Sequence, residues 1–243
     1  MVICGTRTLI LHLIFISNVL EFLDEFTNEP DSHRSVDIIY LDLAKAFDKV
    51  PHLRILDKLD KHGIGGKVLV WLKEWLSGRR QRVCVNSHMS SWKEVTSGEP
   101  QGSVLGPILF LVYINDLDSS LVSSVQKFAD DTKLFGVVDD ETHRRMLQED
   151  LQRLCHWSEM WQMPFNASKC TVLHLGCHNN PFDYFMDNHK LDAVTEEKDL
   201  GILITSNLKS ASQYQQAYAK ASKALGIIAR TISYKTPHVL LRL

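Results

Sequence analysis

The sequence predicts an α+β fold, a sheet packed on helices. Three observations carry that expectation. Residues 35–43 form a β-rich apolar run, two short strand patterns flank Asp130 and Asp131, and helical periodicity fills the segments between and after them. The resulting order is strand, helices, hairpin, helix, strand pair, helix, strand. Composition agrees, because 243 residues at 44% hydrophobic and 23% charged can bury a sizeable core. A formal net charge of −2 gives no overall basic field for a nucleic-acid partner, yet leaves room for a local basic patch.

The apolar N-terminal stretch, residues 9–16, is too short to span a bilayer and contains His12. Arg7 precedes it, but no small-x-small cleavage site follows, so it reads as a buried helix running into NVLEFLDEF. An intracellular chain without a membrane anchor is expected. In residues 35–43, SVDIIYLDL, the only charges are Asp37 and Asp42, which marks a buried strand. Residues 44–50 turn away, and Pro51 opens a helix through HLRILDKLDKHG that Gly63 stops. A second helix ends at Gly78. QRVCVN and WKEVT alternate around a polar turn, as a hairpin does. Arg79, Arg80 and Arg82 at its start form the densest basic cluster, suited equally to phosphates and to a solvated hairpin edge.

Next, the Gly/Pro-rich loop EPQGSVLGP leads into an apolar helix from Ile108. Asp139 and Asp140 cap a long amphipathic helix to about Trp161, with Met146, Leu147, Leu151 and Leu154 on one face. Strands follow at 171–175, near Tyr184 and at 200–204, and a last helix begins near Ser210. Five cysteines show no disulfide framework and fit reduced thiols. Cys170, His174, Cys177 and His178 crowd together, but strand alternation separates Cys177 from Cys170 and His174. The regular paired spacing of a structural zinc motif is also missing.

The chemistry centres on FADDTK, residues 128–133, where Asp130 and Asp131 stand side by side. Either the pair sits in a hairpin turn, where Asp is at home, or a divalent cation converts its repulsion into coordination. Asp42, at the exit of the first buried strand, bears on the choice, because a lone charge there is costly unless paired or metal-bound. If that strand lies beside the hairpin, three carboxylates meet at one sheet edge. Two Mg²⁺ ions roughly 3.5–4 Å apart in such a cluster suit nucleotidyl transfer.

YLDLAKAFD, PQGSVLGP, FADD, FNASKC and KDLGI, in that order, resemble the palm motifs of reverse transcriptases. From about Asn18 to Arg242 the chain is similar to the polymerase of vertebrate non-LTR retrotransposons of the long interspersed element type. The resemblance implies a polymerase right-hand palm, an antiparallel sheet packed on helices, with partial fingers and a truncated thumb. Residues 1–205 would be the reverse transcriptase domain and 206–243 the start of a thumb-like helical region. It implies RNA-directed DNA polymerase activity, in which two Mg²⁺ ions (or Mn²⁺) assist transfer of deoxynucleotides to a primer 3′-OH. An RNA template, a DNA primer and deoxynucleoside triphosphates are then the partners.

Carried over by position, Asp42, Asp130 and Asp131 are the catalytic, metal-binding carboxylates, with the Leu43 carbonyl as a further ligand. Phe47 is the bulky residue under the sugar, whose ring clashes with a 2′-hydroxyl. Gln101 and Gly102 belong to the nucleotide-binding loop, where a glycine lets the backbone approach. Lys169 protonates the leaving pyrophosphate, and Leu200 and Gly201 hold the primer end. From the residues alone, Phe47 reads equally as core packing, Gly102 as a turn residue and Lys169 as a solvated lysine. Asp48 reads as a cap for the turn before Pro51.

Two departures stand out. Glu99 precedes PQG where the family carries a small apolar residue, and a carboxylate there repels a triphosphate unless it points to solvent. The first residues do not resemble basic fingers strands and the thumb is barely begun, so this chain alone is expected to polymerise poorly or not at all. Two other readings are a catalytically silent remnant that keeps the palm fold, and an RNA-recognition sheet. The latter reads bases through exposed sheet aromatics, whereas YLDL and FADD bring acids.

Overall fold

The computed structural model describes residues 35–176, 179 and 181–231. The helix expected over the first residues, Cys177, His178 and the C-terminal HVLLRL lie outside them. The described residues form two compact units that divide between Val194 and Thr195.

The first unit begins with β1 (Val36–Leu41), then helices α1 (Ala46–Lys49), α2 (His52–Lys61) and α3 (Gly66–Leu76). A ribbon of short strands follows: β2 (Arg80–Gln81), β3 (Cys84–Val85), β4 (His88–Met89) and β5 (Lys93–Glu94). Then come α4 (Leu105–Ile114), the hairpin β6 (Ser124–Phe128) and β7 (Asp131–Val137), and α5 (Glu141–Trp161). β8 (Thr171–Leu175), the small hairpin β9 (Phe185–Met186) and β10 (His189–Lys190), and β11 (Asp192–Val194) complete the unit.

β1 is the middle of a five-stranded sheet of order β11–β8–β1–β7–β6. Its run of Ile38 and Ile39 is fully buried, as a β-branched segment covered on both faces should be. Its two neighbours run antiparallel to it, with Ile39 opposite Leu134 on β7 and Val172 on β8. The expected all-antiparallel sheet has one exception, because edge strand β11 runs parallel to β8. The segment between them, which includes the β9–β10 hairpin, is long enough to carry the chain back for a parallel return.

Ile39, Leu41, Leu134 and Val172 pack with Phe110 and Tyr113 of α4 and with Leu147, Leu151 and Leu154 of α5. Each such side chain contributes about 1.5–3 kcal/mol on full burial. Asp140 caps α5, its Oδ1 accepting the His143 N–H at 2.9 Å. Met146, expected on the buried stripe, is 37% exposed, because it stands about 100° around the helix from Leu147. α4 begins at Leu105, not Ile108, and Pro107 sits in its first turn, where a missing N–H costs nothing.

Asp37 is the one charge in the middle of β1 and is fully buried. It accepts from His174 Nδ1 at 2.6 Å, Asn179 Nδ2 at 2.7 Å and the Tyr184 hydroxyl at 2.7 Å, so its burial is compensated. His174 therefore serves the fold. Phe135 of β7 is buried as well, so the sheet does not present it for base stacking.

The second unit holds the hairpin β12 (Glu196–Asp199) and β13 (Ile202–Thr205), followed by α6 (Ala211–Thr231). Leu200 and Gly201 form the two-residue turn of that hairpin, with φ of 46° and 88°, and do not begin its second strand. The Leu203 N–H donates to Gln213 Oε1 at 2.9 Å and ties hairpin to helix.

Candidate active site

Asp42 and Asp131 lie one step past Leu41 and Thr132, the last paired residues of β1 and β7. The backbone of Asp42 is fixed toward the β8 side. Its N–H donates to Cys170 Sγ at 3.3 Å, and its carbonyl accepts the Asn166 N–H at 2.7 Å. The Asp42 side chain stays 40% exposed. Leu43 bridges Phe165 between that bond and the Ala44 N–H bond to the Pro164 carbonyl, the non-hydrogen-bonded position of an antiparallel pair. Its own carbonyl is thereby directed to the opposite side, where β7 lies. Burial pushes the Cys170 thiol up to about 11, so it packs beneath Asp42 as a neutral thiol.

On the facing hairpin, Phe128 pairs with Asp131 and leaves Ala129 and Asp130 as the turn. Ala129 has φ +54°, a position where two-residue hairpins carry glycine, which stores about 1–3 kcal/mol of strain. That turn holds Asp130 at the tip, where it makes no hydrogen bond or ion pair with another described residue.

Asp42 and Asp130 line one cleft of about 590 Å³ together with Leu43, Phe47, Gln101 and Lys169. The Lys169 Nζ stands 3.7 Å from Asp42 Oδ2. Lys45, Asp48, Lys49 and Asn166, which sequence reasoning did not place there, share the lining. Asp131 and Gly102 do not line it, and Leu200 and Gly201 belong to the second unit. Asp131 is the first residue of β7 and Asp130 its turn neighbour, so the two side chains leave the backbone in different directions. Among the described residues no three His, Cys, Asp or Glu side chains gather closely enough to hold a metal ion.

The cleft wall that carries Gln101 is clamped to α1. The Glu99 N–H donates to the Phe47 carbonyl at 2.9 Å and the Gly98 N–H to the Val50 carbonyl at 2.8 Å. Ser97 Oγ donates to the Asp48 carbonyl at 3.0 Å, and Gln101 Nε2 to Asp48 Oδ1 at 2.9 Å. Asp48 thus orients the Gln101 amide, a role that its expected turn cap does not describe. Phe47 packs its ring 4.5 Å from that of Phe110 and also lines the cleft. Gly98 lets the loop come this close, because at φ +82° an added Cβ would lie 2.6 Å from the Asp48 carbonyl oxygen. Gly98→Ala is expected to cost about 2–4 kcal/mol, read as a lowered denaturant midpoint. Unchanged stability would contradict the clamp.

Glu99 points neither to solvent nor into the cleft. It is 6% exposed, both carboxylate oxygens lack hydrogen-bond partners, and it faces Gly106 in the first turn of α4. Burial pushes its carboxyl up to about 8, so it is mostly uncharged at neutral pH. Burial and the raised carboxyl both weaken the repulsion expected between Glu99 and a triphosphate.

Residues 14–227 match the family described as reverse transcriptase (RNA-dependent DNA polymerase). The chain belongs to the reverse transcriptase family. This reverse transcriptase domain is 29% identical over 188 residues to the probable RNA-directed DNA polymerase from transposon X-element of Drosophila melanogaster, covering 73% of this chain and 20% of that protein. It is 34% identical over 140 residues to the RNA-directed DNA polymerase from mobile element jockey of the same fly, covering 54% and 15%. It spans a fifth or less of the length of these curated relatives. The reverse transcriptase domain is also similar in structure to apo telomerase from Candida tropicalis, at TM-score 0.44 and 10% identity over 81% of this chain and 38% of that one. The antiparallel core of its sheet packed on helices is the α+β, palm-like fold the motifs implied. Among its described residues no helix is long and apolar enough to cross a membrane.

Proposed function

We propose that this chain is an intracellular RNA-directed DNA polymerase domain that adds deoxynucleotides to a primer 3′-OH on an RNA template. The observation that carries the reading is the meeting of Asp42 and Asp130, from two separate strand ends, in one cleft with Phe47, Gln101 and Lys169. The motif wording further favours derivation from a vertebrate long interspersed element. Residues 1–205 would form the polymerase domain proper, and 206–243 the start of a thumb-like region whose neighbouring Leu200–Gly201 turn supports the primer.

The donor set fits Mg²⁺. Asp42, Asp130 and the Leu43 carbonyl supply oxygen only, and Mg²⁺ is ordinarily held by one or two carboxylates plus substrate phosphates. When bound, such ions supply activation of the attacking hydroxyl and neutralisation of the leaving phosphate. Asp131, at the adjacent strand start, would complete the set from outside the cleft lining. The chain's own groups do the rest. Phe47, propped by Phe110, fills the space a 2′-hydroxyl would need, and Gln101, oriented by Asp48, presents its free amide oxygen to the nucleotide. Gly102 keeps the adjoining backbone uncovered, since an added Cβ there would touch nothing. Lys169, which lines the same cleft, would donate a proton to pyrophosphate.

Primer extension on an RNA template, with Mg²⁺ and with a chelator, tests the reading. Slow Mg²⁺-dependent addition is expected, and addition that ignores the chelator would overturn it. Phe47→Ala should admit ribonucleotides while costing only about 1–3 kcal/mol of stability, because the ring is only partly buried. Unchanged sugar discrimination with a large loss of stability would leave Phe47 as core alone.

A further inference from the structure

The ribbon between α3 and the Gln101 loop is not absorbed by the cleft. Its two halves pair out of step: Gln81 faces Lys93 and Cys84 faces Met89, while Val83 and Ser90 share the Ser90 N–H bond to the Val83 carbonyl. One extra residue on the returning strand therefore sets Ser91 and Trp92 together against Arg82, a β-bulge. Bulges re-aim side chains, and here the Arg82 guanidinium lies 4.5 Å over the Trp92 ring. Asn86 and Ser87, both at positive φ, close the distal end as a tight two-residue turn.

Every residue from Arg80 to Glu94 is exposed, including Trp92 at 50%. Residues 79–94 carry Arg79, Arg80, Arg82 and Lys93 against the single carboxylate of Glu94, the cross-strand partner of Arg80. This gives +3 in a chain whose total is −2. A solvated edge accounts for the charges. It does not account for an exposed Trp held under an Arg by a bulge. Phosphate and a π-face are the two features that a basic, aromatic surface reads in a single strand.

We infer that the β2–β5 ribbon is a single-strand-binding arm: Arg82 and Trp92 take one phosphate and the base beside it, with Arg80 and Lys93 on neighbouring phosphates. The inference rests on the polymerase reading, for which that strand is the template, and Glu94 is joined to Gln101 by only a short segment of chain.

Fluorescence anisotropy with a labelled single-stranded RNA, titrated across salt concentrations, tests the arm on the whole chain. Replacing Arg80, Arg82 and Lys93 together by Ala should reduce the slope of log affinity against log salt by about 2, at roughly 0.7 for each phosphate that the variant leaves unneutralised. Trp92→Ala should weaken binding about tenfold with little change of slope, and Arg82→Lys should keep the slope but lose affinity. Circular dichroism melting should be unmoved, since the side chains are exposed. Affinity and slope equal to wild type in all three variants would overturn the arm, as would a wild-type chain that binds no RNA. A changed oligomeric state in Val83→Ser with unaltered RNA binding would assign the ribbon to a protein partner and equally overturn it. Asp42→Asn and Asp130→Asn should leave the salt slope unchanged, so failure of the cleft and failure of the arm appear in different assays.

Discussion

Glu99→Val should stabilise the protein by about 2–4 kcal/mol at neutral pH and flatten its pH dependence. Burial raises the Glu99 carboxyl in the folded chain to about 8 from its ordinary 4.5. Between those values the folded state holds a proton that the unfolded state has released, so stability falls as pH rises through this window. Below about pH 4.5 both states are protonated and ionisation adds no penalty, while above about 8 the penalty is complete. At pH 7 the accumulated loss is about 3 kcal/mol, at 1.36 kcal/mol per unit. Valine removes that loss and the two unpartnered oxygens together, whereas Gln removes only the ionisation and should fall between. Denaturant unfolding at about pH 5 and about pH 8 reads the effect. A wild-type stability that is flat across that range, with no gain in the valine variant, would contradict the burial.

The second large effect concerns chemistry and leaves the fold alone. Asp42→Asn and Asp130→Asn should each reduce nucleotide incorporation on the order of 10²–10³-fold. Both replacements keep the shape and remove the charge that a divalent cation requires. Asp130 has no described partner to strand, and the Asp42–Lys169 pair is 3.7 Å long and well exposed on both sides, so its loss costs little. Melting temperatures near wild type should therefore accompany the loss of incorporation. Equal losses of stability and activity would instead mark the two residues as structural.

The sequence was readable where a local pattern decides the outcome. VDIIYL had to be a buried strand, FADD had to straddle a hairpin turn, and Asp140 had to open α5. The cleft was legible only through motif order, because nothing local brings the end of β1 beside the tip of the β6–β7 turn. The Asp48–Gln101 bond joins positions 53 apart and depends on Gly98 tolerating φ +82°, neither of which a periodicity encodes. Glu99 misled for a related reason. A carboxylate beside the nucleotide-binding loop reads as a charge facing the triphosphate, and only the docking of that loop on α1 and α4 turns it inward and out of water. The parallel edge strand β11 was hidden in the same way, since three residues of strand carry no signal of direction.

The measurement that bears most directly on the central claim, that Asp42 and Asp130 build one cation-holding cleft, is Mn²⁺ binding followed by electron paramagnetic resonance. Mn²⁺ shares the oxygen-ligand preference of Mg²⁺, and the assay needs neither primer nor turnover. With a deoxynucleoside triphosphate present, the wild-type chain should bind Mn²⁺ more tightly than the nucleotide alone does, and Mg²⁺ should displace it. Each of Asp42→Asn and Asp130→Asn should weaken that binding at least about tenfold, the loss of one charge-assisted ligand. Binding of equal strength in the wild type and in both variants would contradict the account.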